Sequence, residues 1–226
     1  MKFLHLFNKS SAAGFAKIQG YEDIKDIVRH ALDSNENYNL LFVGLPASSK
    51  TLFLQGILEM KSGVYFDGSN ATNRILDVLQ ERRPKIICID ELDKMPRTFQ
   101  NQLLNFMESG RVKVDQQKKQ YDFEIRGAGF ATCNELSRIS KPFQSRFRIL
   151  QLPRYNEEQF INVSVKVLKN LNDPLARYIG HIVFEQGGDI RTVMSVGKLL
   201  KNSDGLEDVK RIIQTLMKYG VKEEKK

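Results

Sequence analysis

The segment Gly44-Leu45-Pro46-Ala47-Ser48-Ser49-Lys50-Thr51-Leu52 joins an apolar run, Asn39–Gly44, to a stretch with helical periodicity, Lys50–Met60. A loop that opens a helix in this way turns backbone N–H groups toward solvent at the positive end of the helix dipole. The chemistry it suits is anion binding, and a phosphate is the natural anion. The Lys50 ammonium would neutralise β- and γ-phosphates, and the Thr51 hydroxyl would ligate Mg²⁺. Glycine usually stands directly before such a lysine, but here the residue is Ser49. A side chain at that position narrows the φ range available to a backbone wrapping a phosphate.

A second constellation lies at Lys85-Ile-Ile-Cys-Ile-Asp90-Glu91-Leu-Asp93, a buried-strand pattern ending in adjacent carboxylates. Acids at the C-terminal end of a core strand fall where α/β sheets keep their ligand crevice. A strand emerging beside the loop would present Asp90 to a Mg²⁺ ion through its water shell. Glu91 would orient and polarise an attacking water.

The elements that position these residues alternate. Apolar runs at Asn39–Gly44, Val64–Asp67, Lys85–Asp90, Gly127–Thr132 and Ile149–Leu152 predict strands. Helical stretches intervene at Lys50–Met60, Ala71–Arg83 and Arg97–Ser109, with a short one at Lys141–Arg146, as in βαβ units. Arg111–Ile125 breaks the alternation and reads as an inserted β-hairpin. Pairing Val112 with Phe123 and Val114 with Tyr121 puts apolar residues on one face and sets Arg111 opposite Glu124 and Lys113 opposite Asp122. Gln116–Lys119 is then a four-residue, dibasic tip, a contact element or a solvated hairpin end. After Pro153 the strands stop, and Glu157–Lys169, Pro174–Gln186, Ile190–Lys201 and Leu206–Lys218 predict a small helical bundle. The expected organisation is a basic arm over 1–17, an α/β domain over 18–153, a helical domain over 154–221 and a charged tail over 222–226.

Composition sets the class. The 226 residues are 41% hydrophobic and 27% charged, which fits a soluble globular chain rather than a disordered one. No apolar run is long enough to span a bilayer, so membrane insertion is not expected. Met1–Lys17 carries basic residues, no acids and a short apolar patch (Phe3, Leu4, Leu6, Phe7) that is too interrupted for a secretory signal. Cys88 and Cys133 are too few for a disulfide framework or a zinc site and read as buried reduced thiols of a cytoplasmic protein. The net charge of +8 is compatible with an anionic partner but does not identify one.

With these residues in place the chain resembles the AAA+ ATPase family over about Ile18 to Gly220. Lys50-Thr51 look like its Walker A pair and Asp90-Glu91 like its Walker B pair. The family usually has a further glycine where Ala47 stands. Ala131-Thr-Cys-Asn134 is similar to the sensor 1 strand, whose asparagine helps to position the lytic water. Lys141-Pro-Phe-Gln-Ser-Arg146-Phe147 resembles the helix end that bears the arginine finger. Gly187-Gly-Asp-Ile-Arg191 resembles the sensor 2 motif, whose arginine contacts ATP in cis, and Ile18-Gln-Gly-Tyr21 falls where the family places its adenine pocket. The hairpin before sensor 1 resembles the clade holding RuvB-type, MoxR-type, MCM-type, Clp and Lon ATPases, and Pro142-Phe-Gln-Ser-Arg-Phe is closest to the RuvB type.

The resemblance implies a P-loop NTPase fold: a parallel sheet flanked by helices, an inserted hairpin and a small C-terminal helical lid. It also implies ATP with Mg²⁺ as ligand and cofactor, and hydrolysis at the interfaces of a homo-oligomeric, hexameric ring that drives conformational work. Three readings of that work stay open: a motor on nucleic acid, a remodeller of protein partners, and a nucleotide-dependent scaffold with weak turnover because of Ser49 and Ala47.

Overall fold

The computed structural model describes residues 14–16, 18–34, 36–45, 48–71, 74–116, 119–200 and 205–219. Residues 1–13 and 17 of the expected basic arm, and the charged tail, fall outside them. The chain divides into two compact units that part between Arg154 and Tyr155.

The first unit begins with α1 (Glu22–Asp33), which the sequence reading did not assign, and continues through β1 (Asn39–Val43), α2 (Lys50–Met60), β2 (Val64–Asp67), α3 (Arg74–Arg82) and β3 (Ile86–Asp90). Then come α4 (Arg97–Ser109), the hairpin β4 (Arg111–Gln116) and β5 (Lys119–Glu124), β6 (Ala128–Cys133), the short α5 (Lys141–Gln144) and β7 (Arg148–Gln151). Five strands form one parallel sheet in the order β2-β3-β6-β1-β7. Both faces of this sheet are covered, which is why its central strands are near-continuous apolar runs rather than alternating ones. On one face Phe42 of β1 stacks on Phe53 of α2, with ring centroids 5.1 Å apart. Phe15 joins the same cluster at 5.5 Å from Phe53 and is buried. Phe15 falls within the span expected as a basic arm, but burial of its ring against α2 makes it part of the core. On the other face Leu41, Ile87, Ile89 and Ala131 pack with Leu76 and Leu79 of α3 and with Leu103 and Phe106 of α4.

The hairpin adopts the expected register, Val112 opposite Phe123 and Val114 opposite Tyr121. Its apolar face belongs to this second core, since Val112, Val114, Tyr121 and Phe123 are all buried there. Two details differ from expectation. The ladder runs on to Gln116 opposite Lys119, so the turn is two residues shorter than the four-residue tip, and residues 117–118 lie outside the described ones. Arg111 also reaches diagonally to Asp122 at 3.2 Å, while Glu124 pairs with Arg126 at 3.3 Å. Diagonal neighbours on one face are within reach of a long guanidinium, so direct opposition does not fix the partner. Tyr121 Oη donates to Asp77 Oδ1 of α3 at 2.8 Å, and the Arg83 guanidinium lies over the Phe123 ring at 4.9 Å.

The second unit holds α6 (Glu157–Val167), α7 (Asp173–Glu185), α8 (Ile190–Leu199) and α9 (Leu206–Tyr219). The starts of α6, α7 and α8 are capped by side chains. Asn156 and Gln159 form a reciprocal capping box on α6, Asn172 accepts from Leu175 N, and Asp189 accepts from Thr192 N. Gly180 lets α7 cross α6 closely, because a Cβ there would stand 2.8 Å from Ser164 Cβ.

The docking of the hairpin is open to a direct measurement. Tyr121→Phe keeps the buried ring and removes the bond to Asp77, so it should cost about 1–2 kcal/mol of stability. Chemical unfolding should show the loss as a lower midpoint with an unchanged slope, and an unchanged midpoint would show that the hydroxyl contact carries no stability.

Candidate functional site

Strand register assembles the crevice. Asp67 lies beside Asp90, Ile89 beside Ala131, and Val43 beside Cys133, so the C-terminal ends of β2, β3, β6 and β1 line up. Gly44 N donates to Cys133 O at 3.4 Å, which places Asn134 next to the start of the loop. In the sheet β6 lies between β3 and β1. Asp90 and the loop still meet, because the first turn of α2 carries Thr51 across the end of β6.

The Asp90 carboxylate is the centre of that meeting. Asp90 is only 8% exposed, and a buried carboxylate must have hydrogen-bond donors. Its Oδ2 accepts from Thr51 Oγ1 at 2.9 Å and from Tyr65 Oη at 2.8 Å. Its Oδ1 accepts from the Thr132 hydroxyl in a short bond and from Glu91 N at 3.1 Å. Tyr65 and Thr132 were not among the expected site residues. Burial first, and then donation to Asp90, raises the Tyr65 phenol well above its ordinary pKa, so it remains a protonated donor.

Glu91 follows in the left-handed region, φ 51° and ψ 47°. Its N–H donates to Asp90 Oδ1 and to Thr132 Oγ1 at 3.0 Å. Its side chain points the other way, to Lys94 Nζ at 2.8 Å. The bond to Glu91 is the main cause of the raised pKa of Lys94.

In the loop, Ser49 also has a left-handed backbone, φ 63° and ψ 9°, and as the residue before α2 its side chain forms no cap. This is the region that disfavours a side chain and accepts glycine. Lys50 is buried, and its Nζ donates to Gly44 O at 2.8 Å, Leu45 O at 2.7 Å and Ser48 Oγ at 3.2 Å. Gly44 must be glycine for space, since a Cβ would stand 2.7 Å from Ser48 Oγ and 3.0 Å from Leu152 O. Ser48 is buried, Leu45 exposed and Leu52 half-buried, while Pro46 and Ala47 lie outside the described residues.

The other expected site residues are spread more widely. Ile18 is buried, and its carbonyl accepts from the buried Lys25 Nζ at 3.0 Å. Tyr21, with φ 60°, packs its ring 6.1 Å from Phe53 of α2, and its hydroxyl donates to Pro153 O at 2.6 Å. Asn134 is half-buried just beyond β6. Arg146 lies in the turn after α5 and pairs with Glu108 at the end of α4, Nη2 to Oε2 at 2.9 Å. Its Nη1 donates to Ser145 Oγ at 3.0 Å. Arg191 sits exposed in the first turn of α8, in the second unit, two residues after the Asp189 cap. Cys88 and Cys133 are free, buried thiols whose pKa values burial pushes up to about 12, so neither is a reactive thiolate.

The donor set fits a small hard cation. A hydroxyl and a carboxylate 2.9 Å apart at the mouth of a phosphate-type loop are oxygen ligands of the kind that hold Mg²⁺ with nucleotide phosphates and water. Among the described residues no cluster of three or more His, Cys, Asp or Glu side chains could cage a metal alone. No helix among them is long and apolar enough to cross a membrane.

Known proteins share this fold. The solved structures of two mutant forms of RuvB from Thermotoga maritima superpose with TM-scores of 0.68 and 0.67 at 17% and 18% identity, covering 88% of this chain and 70% and 71% of theirs. Replication factor C subunit 4 of Encephalitozoon cuniculi (strain GB-M1) is 25% identical over 232 residues, 93% of this chain and 69% of that protein. The probable replication factor C subunit 2 of Dictyostelium discoideum is 26% identical over 183 residues, 70% of this chain and 48% of that protein. The family model described as "ATPase family associated with various cellular activities (AAA)" matches residues 40–154, just over half of the chain, from β1 to the end of the first unit. The chain therefore belongs to the AAA family of ATPases, nucleotide-binding P-loop hydrolases, and its fold is of the RuvB kind.

Proposed function

We propose that this ATPase binds ATP–Mg²⁺ on the loop Gly44–Leu52 and hydrolyses it between neighbouring subunits of a ring to drive conformational work on nucleic acid. The observation that carries the reading is the contact of Thr51 with Asp90 at the loop mouth, with Glu91 next in the chain. Thr51 and Asp90 would hold Mg²⁺, which when bound neutralises phosphate charge. Lys50 would leave its loop carbonyls for the β- and γ-phosphates. Glu91 would leave Lys94 to accept a hydrogen bond from the attacking water, and Asn134 would share in orienting that water. The overall reaction is ATP and water to ADP and phosphate, with catalysis supplied by positioning and electrostatics. Ile18 and Tyr21 would flank the base, Arg191 would contact ATP within its own subunit, and Arg146 would reach a neighbour's γ-phosphate. The two curated relatives are named as replication factor subunits, which together with the net charge of +8 favours nucleic acid over protein as the substrate.

Two substitutions separate binding from turnover. Lys50→Ala should abolish ATP binding by calorimetry, because it removes the main cation for the phosphates. Glu91→Gln should leave the affinity within about twofold and lower turnover by roughly 10²–10⁴, the usual contribution of a positioned base. Unchanged affinity in Lys50→Ala would overturn the loop assignment, and joint loss of binding and turnover in a folded Glu91→Gln protein would overturn the division of roles.

Ser49→Gly tests the strained loop. A left-handed side chain costs about 1–2 kcal/mol and glycine gives back roughly 0.5–1 kcal/mol through the unfolded chain. The substitution should therefore stabilise the protein by up to about 1 kcal/mol on unfolding. It should also raise turnover if the strain restrains the loop. Lower affinity would show instead that the serine hydroxyl contributes to nucleotide binding. Wild-type protein that binds ATP but shows no turnover when assembled would favour a nucleotide-dependent scaffold.

Arg146→Ala should bind ATP nearly normally yet turn it over slowly, since arginines supplied in trans are worth roughly 10³–10⁵ in rate. Mixing it with Lys50→Ala subunits should restore activity at junctions that combine an intact loop with an intact arginine. Co-assembled mixtures that stay silent at every ratio would exclude a shared site.

A further inference from the structure

The Asp90 carboxylate offers about four acceptor positions, and four donors hold them: Thr51 Oγ1, Tyr65 Oη, Thr132 Oγ1 and Glu91 N. A hydrated divalent cation that reaches Asp90 through its water must replace one of them. Glu91 N is main chain, and Thr132 is 1% exposed on the central strand β6, so neither can move without disturbing the sheet. Thr51 need not move, because a hydroxyl can present its lone pair to a cation and keep its proton on Asp90. Tyr65 is different. It lies on the edge strand β2, is 45% exposed, and lines an open groove of about 350 Å³ together with Gly63, Asp67, Asn70 and Arg74. Its ring has room to swing away from Asp90.

We infer that Tyr65 is a positioning residue that holds the acceptor site on Asp90 Oδ2 needed by a hydrated divalent cation, and so sets the affinity of the site for that cation. The inference rests on the reading of Thr51 and Asp90 as the metal-side pair. With the phenol in place, the carboxylate is kept oriented toward Thr51, and each cation that enters must break one charge-assisted hydrogen bond. Phenylalanine at this position leaves the acceptor site to solvent water, which a hydrated cation replaces readily.

Mn²⁺ titration of the ADP complex of the whole chain, followed by electron paramagnetic resonance of the free ion, reads this affinity without turnover. Tyr65→Phe should bind Mn²⁺ roughly three- to tenfold more tightly than wild type, the equivalent of one modest hydrogen bond. ADP affinity in excess chelator should be unchanged. A purely structural role for Tyr65 would lower both affinities together with the melting temperature. Tyr65→Phe protein that is folded and binds Mn²⁺ equally or more weakly overturns the inference. Asp90→Asn is measured alongside and should weaken Mn²⁺ binding. If it does not, the metal-side reading of Asp90 fails, a result distinct from failure of the Tyr65 inference alone. Tyr65→Leu, also without the hydroxyl, should match Tyr65→Phe in direction, and a divergence between the two would assign the effect to ring packing instead.

Discussion

A buried carboxylate must be solvated by the protein, and in this molecule that demand fixes the geometry of the whole crevice. Asp90 draws its donors from different elements: Thr51 from the start of α2, Tyr65 from β2, Thr132 from β6, and the N–H of the next residue. Losing a donor from a buried charge costs several times what an average hydrogen bond contributes, so these elements are held in mutual register by one side chain. The same demand explains the turn at Glu91. The Glu91 N–H bonds to Asp90 and Thr132, and from its left-handed backbone the Glu91 carboxylate leaves the sheet for Lys94. The group proposed to orient water is thus placed outside the charge cluster by the hydrogen bonding of its neighbour.

Strain is concentrated where the ligand chemistry is expected. Among the described residues four that are not glycine have positive φ: Tyr21, Ser49, Arg83 and Glu91. Three of these four belong to the proposed site, the pattern expected when surrounding structure holds residues in sparsely populated conformations. The helical unit shows the opposite economy. Asn156, Asn172 and Asp189 supply side-chain caps to α6, α7 and α8, whereas Tyr21, Ser49 and Pro96 before α1, α2 and α4 supply none. At the loop the uncapped N–H groups are what an incoming phosphate would satisfy. A side-chain cap at Ser49 would compete with the ligand for those donors.

These differences explain what the sequence made visible. The strands were legible because a parallel sheet covered on both faces needs unbroken apolar runs, and the loop was legible because Lys50 and Thr51 stand at a strand-to-helix junction. α1 was not assigned. It has apolar residues at Ile24, Val28, Ala31 and Leu32, but it begins after a left-handed Gly20 and Tyr21 with no capping side chain, so the usual start signal is missing. Tyr65 and Thr132 escaped notice for another reason. Their function depends on β2 lying beside β3 and β6 beside β3, and strand order is a long-range property that local periodicity does not encode. The alternation along β2 did put Tyr65 on the face of Asp67, but nothing local pointed to Asp90. The hairpin register followed from the placement of Val112, Val114, Tyr121 and Phe123 on one face, since a slip by one residue would expose all four. Its charge partners did not follow, because exposed arginines choose among several carboxylates at little cost.

The C-terminal end of α4 shows how these local solutions become connected. Asn39 Nδ2, at the first residue of β1, donates to Met107 O and to Arg146 O at 3.1 Å. Glu108, the next residue of α4, holds the Arg146 guanidinium, whose Nε is buried without a protein partner. Two residues further on, Gly110 takes φ 78°, ends the helix and turns the chain into β4, and its carbonyl accepts from Ile125 N at 2.9 Å as the hairpin returns. A Cβ at Gly110 would stand 2.1 Å from Ile125 O, so the turn cannot be rebuilt around another residue without parting the hairpin base from the helix. One helix end therefore joins the strand that leads into the phosphate loop, the arginine proposed to act on a neighbour, and the base of the hairpin. The Asn39 side-chain amide holds the backbone carbonyls of Met107 and Arg146, whereas the Arg146–Glu108 ion pair is partly exposed, so the guanidinium can shift at little cost while a displacement of the Arg146 backbone is shared with β1 and α4.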